Sequence, residues 1–127
     1  MNFNLTHLRE HSLRKAFSLA CSIFEISKIF PREEKYSLTD QIRRSSRSVA
    51  ANIGEAYRKK RYPKHFVSKM TDADAELSET LVWLYFAYKC KYIDKSTLQG
   101  LKSEIDEVGK LLGSIIQNPA PFTKKKN

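Results

Sequence analysis

Six basic residues are spaced to act as one surface: Arg43, Arg44, Arg47, Arg58, Lys59 and Arg61. On an α-helix turning about 100° per residue, Arg43, Arg47, Arg58 and Arg61 fall within about 60° of arc, with Arg44 and Lys59 beside them. A guanidinium fork matches phosphate oxygens two at a time, and each neutralised phosphate releases condensed counterions. The chemistry this pattern suits is sequence-independent binding of a nucleic-acid backbone, RNA or DNA. It equally suits a solvated helix face with local ion pairs. No zinc-finger, RNP aromatic or GXXG pattern is present to read base edges.

Other chemistry-bearing groups give less. Glu55 falls beside the basic stripe, about 120° from Arg43. Glu79, if it faces the interior, needs Arg43, Arg44 or Gln41 opposite it, because a buried carboxylate without a partner is costly. Both glutamates are therefore expected in structural ion pairs. The run His7-Leu8-Arg9-Glu10-His11 matches the H-x-x-E-H zinc-peptidase pattern. It sits at the extreme N-terminus, with no third ligand and no second lobe to shape a cleft, so neither zinc nor catalysis is expected from it. Di-iron carboxylate bundles need Glu-x-x-His twice, and the spacing never occurs. Without a Gly-rich phosphate loop there is no support for nucleotide hydrolysis. Ser45, Ser46 and Ser48 have no paired base and suit close helix approach instead. Cys21 and Cys90 lack metal-ligand spacing and are expected in core or interface positions. No enzyme activity, cofactor, metal or small-molecule substrate is expected.

The elements that must position these residues are helical throughout. Leu13, Ala16, Phe17, Ala20, Ile23 and Phe24 recur at helical steps, predicting a helix from Leu8 or Ser12 to Phe30, stopped by Pro31. Ser37 with Asp40 three residues on resembles an N-capping box, opening a helix with Leu38, Ile42, Ser46, Val49, Ile53 and Tyr57 on one face. Tyr62-Pro63 breaks the chain, and Pro63 suits the first turn of a third helix. That helix carries Phe66, Met70, Ala73, Leu77, Thr80 or Leu81, Leu84 and Ala87 or Tyr88. Asp94 is the expected N-cap of a fourth, with Leu98, Leu101, Ile105, Val108, Leu112 and Ile115 in heptad register to Asn118. Short connections between four such helices predict an all-α, antiparallel up-down-up-down four-helix bundle over residues 1–118. Residues 119–127 are expected to be a disordered basic tail.

Residues 81–88, LVWLYFAY, are apolar all round the third helix. With Leu81, Leu84 and Tyr88 directed inward, Trp83 and Phe86 would face out, and self-association is the direct way to cover them.

The chain has 127 residues and a formal net charge of +9, of which residues 31–63 contribute more than half, with nine basic and four acidic residues. The sequence pI is about 9.6. The length suits one globular domain. The basic excess favours an anionic partner. No window is long and apolar enough to span a membrane, and no secretory signal is visible. Two cysteines cannot build a disulfide framework, so a cytoplasmic location is expected.

The segments Phe30-Pro31-Arg32-Glu33-Glu34-Lys35-Tyr36-Ser37-Leu38-Thr39-Asp40-Gln41-Ile42-Arg43-Arg44 and Asn52-Ile53-Gly54-Glu55 carry a further signal. With AELSETL at 75–81, Lys91-Tyr92-Ile93 and Glu107-Val108-Gly109-Lys110-Leu111-Leu112, they resemble the family encoded in intervening sequences of bacterial 23S rRNA genes, also labelled S23 ribosomal proteins. The resemblance covers roughly residues 8–117. It implies a four-helix bundle similar to the accessory proteins of diversity-generating retroelements. It also implies ring-like homopentamers with a basic surface, a proposed nucleic-acid role and no enzymatic activity. Ala50, Gly54 and Ala56 depart from the family pattern, where Pro, Ala and Gly are more frequent. The combined expectation is an oligomeric nucleic-acid-binding protein. The alternative is an interaction scaffold working with a partner such as a reverse transcriptase.

Overall fold

The computed structural model describes residues 11–123, which contain no strand. Four long helices, α1 (His11–Ser27), α2 (Asp40–Arg58), α3 (Pro63–Lys89) and α4 (Lys95–Gln117), precede a short α5 (Ala120–Thr123). α1 packs on α2 and α4, and α3 packs on the same two helices. The four long helices thus enclose one apolar interior.

The heptad register of α4 holds at every position: Leu98, Leu101, Ile105, Val108, Leu112 and Ile115 are all buried. In α3 the two ambiguous positions are settled, with Thr80 and Ala87 fully buried and Leu81 and Tyr88 partly so. α1 is rotated from the expected phase. Leu19 takes the core beside Ala16, Ala20 and Ile23, while Phe17 is 43% exposed. α2 buries Ser45 and Ser46 completely, and the Ser45 hydroxyl shares a 2.8 Å hydrogen bond with Thr80 Oγ1 on α3. Small hydroxyl side chains here allow the two helices to approach while satisfying each other's polar atoms.

The helix ends explain where the chain turns. Asp94 Oδ1 accepts the Thr97 N–H at 2.8 Å, the capping role expected of it. Pro63 occupies the first turn of α3, where its missing N–H costs nothing. α3 closes with Lys91 in the left-handed region at φ 66°; the Tyr92 N–H reaches Ala87 O and the Lys91 N–H reaches Tyr88 O, both at 2.9 Å. This is a Schellman closure with lysine in the position that glycine usually fills.

Three expectations are corrected. α1 ends at Ser27 rather than Phe30. Residues 28–30 continue as turns, and Phe30 reaches the core, its ring 5.9 Å from that of Tyr92. Ser37 is not an N-cap: a 3₁₀ turn at Arg32–Glu34 and a π turn at Lys35–Thr39 lead into α2 at Asp40. The Ser37 hydroxyl instead donates to Glu34 Oε1, whose other oxygen accepts the Tyr92 hydroxyl at 2.7 Å. These bonds hold Glu34 below the usual carboxylate range and push the Tyr92 phenol above its own. Finally, the tail expected to be disordered from residue 119 is helical over Ala120–Thr123. Phe122 packs against the core and Thr123 is buried, so an aromatic anchor stops the chain leaving the surface at Pro119. Lys124, Lys125 and Lys126 lie outside the described residues.

Candidate nucleic-acid interface

α2 presents its arginines on two different neighbours. Arg43 lies over α1, its guanidinium carbon 4.5 Å from the Phe24 ring centroid and its Nε donating to Ser27 Oγ at 2.7 Å. Ser27 Oγ in turn donates to Phe24 O at 2.8 Å, fixing the acceptor that Arg43 uses. Arg47, one turn on, stands 5.3 Å from the same ring. Cation–π contact orients both side chains and the buried Ser27 hydroxyl fixes Arg43, without neutralising either. Among the described residues neither Arg43 nor Arg47 forms an ion pair with a carboxylate.

Arg44 points the other way, over α3. It pairs with Glu76 Oε1 at 3.2 Å and with Glu79 Oε2. Glu79 Oε2 also accepts the Trp83 indole N–H at 3.0 Å. That donor, followed by Arg44, holds Glu79 below its ordinary value against the opposing effect of burial. The two glutamates raise Arg44 further above its already high value. Glu55, at the other end of α2, pairs with Lys69 at 2.9 Å, which lowers the carboxyl and raises the ammonium. Lys69 also reaches Asn52 Oδ1 at 3.5 Å.

Arg58, the last residue of α2, keeps its helical angle beside the Arg43–Arg47 row, whereas Lys59 and Arg61 do not continue it. α2 ends at Arg58, and Lys59 closes it through its N–H to Ala56 O at 2.9 Å. Arg61 stands in the following turn, so its helical angle does not apply. Arg58, Lys59 and Arg61 are all exposed and form a second basic patch, about 16–22 Å from Arg43 and Arg47 along the axis. Between the patches, Ala51 is exposed and a side chain at Gly54 would meet nothing within 4 Å.

On α3, Phe86 is 53% exposed, but Trp83 is only partly exposed and packs on the core with its ring centroid 6.0 Å from that of Phe86. Trp83 stands about 80° from the centre of the buried stripe, near enough for its indole to reach Glu79. The outward face is instead made by Val82, Tyr85 and Phe86. Both cysteines are free and exposed rather than buried. Cys21 lines an apolar groove of about 450 Å³ between α1 and α2, with Phe17, Ala20, Phe24, Ala50 and Arg47. Residue spacing alone does not point to this groove, because it arises from the rotated phase of α1. His7 and Glu10 of the H-x-x-E-H run lie outside the described residues. His11 opens α1 beside Arg14, its Nδ1 3.2 Å from Arg14 Nη2. The described residues contain no cluster of three or more His, Cys, Asp or Glu able to hold a metal, and no helix among them is long and apolar enough to cross a membrane.

Fold and surface together define an all-helical protein with a partly unneutralised basic face. The chain belongs to the 23S rRNA-intervening sequence protein family, which it matches over residues 11–114. It is also similar to a protein of unknown function from the S23 ribosomal protein family of Bacteroides thetaiotaomicron VPI-5482, seen in a 1.70 Å crystal structure. The two share 30% identity with a TM-score of 0.77, over 84% of this chain and 99% of that one. None of the curated proteins compared with the chain matches it.

Proposed function

We propose that the chain is a non-enzymatic, oligomeric protein that binds RNA or DNA through phosphate contacts on the outer face of α2. The observation that carries this reading is the pair Arg43 and Arg47: both are propped on Phe24, and neither is neutralised by a carboxylate among the described residues. Two oriented guanidiniums one turn apart suit adjacent phosphate oxygens. Arg58, Lys59 and Arg61 extend the field at the far end of α2, and the net charge of +9 gives it a sign.

The frame proposed for this face is an antiparallel up-down-up-down four-helix bundle. It is supported by the pairing of Ser45 near the start of α2 with Thr80 late in α3, and of Glu55 near the end of α2 with Lys69 early in α3. Free cysteines agree with a cytoplasmic location. Phosphate binding predicts a steep loss of affinity for structured RNA or duplex DNA between about 50 and 200 mM salt, read by fluorescence anisotropy. An affinity that stays flat over that range overturns the reading.

A protein-interaction role has one observation in its favour, the exposed apolar ridge Val82, Tyr85 and Phe86 on α3. We read it as a subunit interface, with a pentamer as the number implied by family resemblance. In the scaffold alternative the ridge, or the basic face, meets a partner such as a reverse transcriptase, as in retroelement accessory proteins. Light scattering separates the two: an assembly at micromolar concentration supports the subunit interface, and a monomer leaves the ridge for another protein.

A further inference from the structure

Arg47 borders two surfaces at once. On one side is a shallow, mainly basic groove lined also by Asp40, Arg43, Arg44, Ser48 and Ala51, in which Asp40 forms no ion pair with Arg43 or Arg47. On the other is the apolar groove between α1 and α2, walled by Phe17, Ala20, Cys21, Phe24 and Ala50. The apolar groove has a volume of about 450 Å³, within the ~300–1,000 Å³ range of clefts that take small ligands. Access is from solvent, since Phe17 and Cys21 are exposed.

We propose that this groove accepts an unpaired nucleobase of a single-stranded nucleic acid while Arg43 and Arg47 hold the phosphates beside it. The inference rests on the phosphate reading above and deepens it. A duplex keeps its bases stacked and offers mainly its backbone to a helix face. A single strand offers phosphates and an apolar, planar base within one nucleotide of each other. The α1–α2 surface pairs the matching features at the same spacing: cations on one side of Arg47 and an aromatic-walled slot on the other. Phe17 supplies an exposed ring, and Phe24 braces both guanidiniums.

The rim chemistry favours a polyanion over the apolar ridge of a second copy. Arg43 and Arg47 carry no carboxylate partner among the described residues, and Glu25 on the α1 wall is engaged by Lys28 at 3.2 Å. The ridge Val82, Tyr85 and Phe86 is followed on its own helix face by Lys89, a further cation. Seating it here would set like charges against Arg47.

The test compares a labelled oligouridylate of about 12 nucleotides with an abasic strand of the same phosphate number, using the full chain. The oligouridylate is expected to bind about tenfold more tightly, in line with base–aromatic stacking. Phe17→Leu, which removes a ring at an exposed position, and Cys21→Leu, which narrows the slot with a side chain that has no ring to stack, should each erase that preference while leaving abasic-strand binding unchanged. Circular dichroism confirms that both variants fold. Equal wild-type affinity for the two strands overturns the proposal, as does a preference that survives both substitutions. Loss of assembly in Cys21→Leu, with the preference intact in Phe17→Leu, assigns the groove to a second copy and also overturns it. Failure of the phosphate reading has a different signature: abasic-strand binding that is insensitive to Arg43→Ala and Arg47→Ala.

Discussion

Arg43 and Arg44 are neighbours in sequence, yet they belong to surfaces with opposite chemistry. Arg43 and Arg47 lean on α1, which offers both an aromatic ring and Arg43 a hydroxyl as well. Arg44 leans on α3, which offers it two carboxylates. The α2–α3 side has used up its charges in cross-helix pairs, Lys69 with Glu55 included. The α1–α2 side has held its charges in place without neutralising them. A count of basic residues cannot separate these cases. What separates them is which helix each side chain meets, a step of about 100° apart.

The largest effect should come from removing the unneutralised pair. Arg43→Ala with Arg47→Ala should weaken binding to structured RNA by about 100-fold at low salt, on the scale of hydrogen bonds to charged groups. The slope of log affinity against log salt should become shallower by about 2, roughly one unit for each phosphate that an arginine no longer neutralises. Stability should fall by only about 1–2 kcal/mol, the scale of the lost Phe24 and Ser27 contacts, so the variant stays folded. Binding that stays as in the wild type, in a variant that still folds, would erase the distinction between the two faces.

A smaller effect is expected inside the α2–α3 contact. Thr80→Val keeps the shape of a fully buried side chain but removes the hydroxyl that meets Ser45 at 2.8 Å. Ser45 retains its own carbonyl acceptor, Ile42 O at 3.3 Å, so the loss should be about 1–2 kcal/mol in urea unfolding rather than collapse. Nucleic-acid affinity of the folded variant should be unchanged.

Much of the fold was legible because apolar periodicity reports burial directly. All six heptad positions of α4 are buried, and Pro63 and Asp94 act where their chemistry dictates. The candidate site was less legible, for identifiable reasons. Ser37 had the composition of a cap but lost its role to the 3₁₀ and π turns that precede Asp40. Arg61 fitted an α-helical angle only if α2 ran past Arg58, and it does not. Trp83 was expected outside, because an all-apolar run cannot reveal that Glu79 would accept its indole N–H. Phe17 and Phe24 looked like core residues. A slight rotation of α1, with Leu19 inside, turns them instead into a groove wall and an arginine support.

Arg44→Ala tests the neutralised side and should do less than either change above. Its side chain is 49% exposed and those of Glu76 and Glu79 are 24% and 37% exposed, so solvent screens the pairs. The expected loss is below about 1 kcal/mol, with RNA affinity within about twofold of the wild type. The comparison gains a sharper edge from pH. Glu79 and Glu55 titrate below their ordinary values in the folded chain, Glu79 mainly through the Trp83 indole and Glu55 mainly through Lys69. A lowered carboxyl contributes its full stability above the unfolded value near 4.5 and loses it as pH falls through the folded one. Glu104 on α4 has the opposite sign. Burial, then Glu107, raises it, so its carboxylate costs stability above the raised value and the cost is relieved on acidification. Acid unfolding should therefore begin below about pH 4.5, driven by the α2–α3 glutamates together with Glu34 and Asp94, which are lowered by Ser37 and Tyr92 and by Thr97. Glu79→Gln should flatten that acid limb. Arg43→Ala with Arg47→Ala should leave it as in the wild type, because no carboxylate among the described residues forms an ion pair with either. An acid limb that shifts equally in both variants would mean that the α1–α2 arginines are neutralised after all.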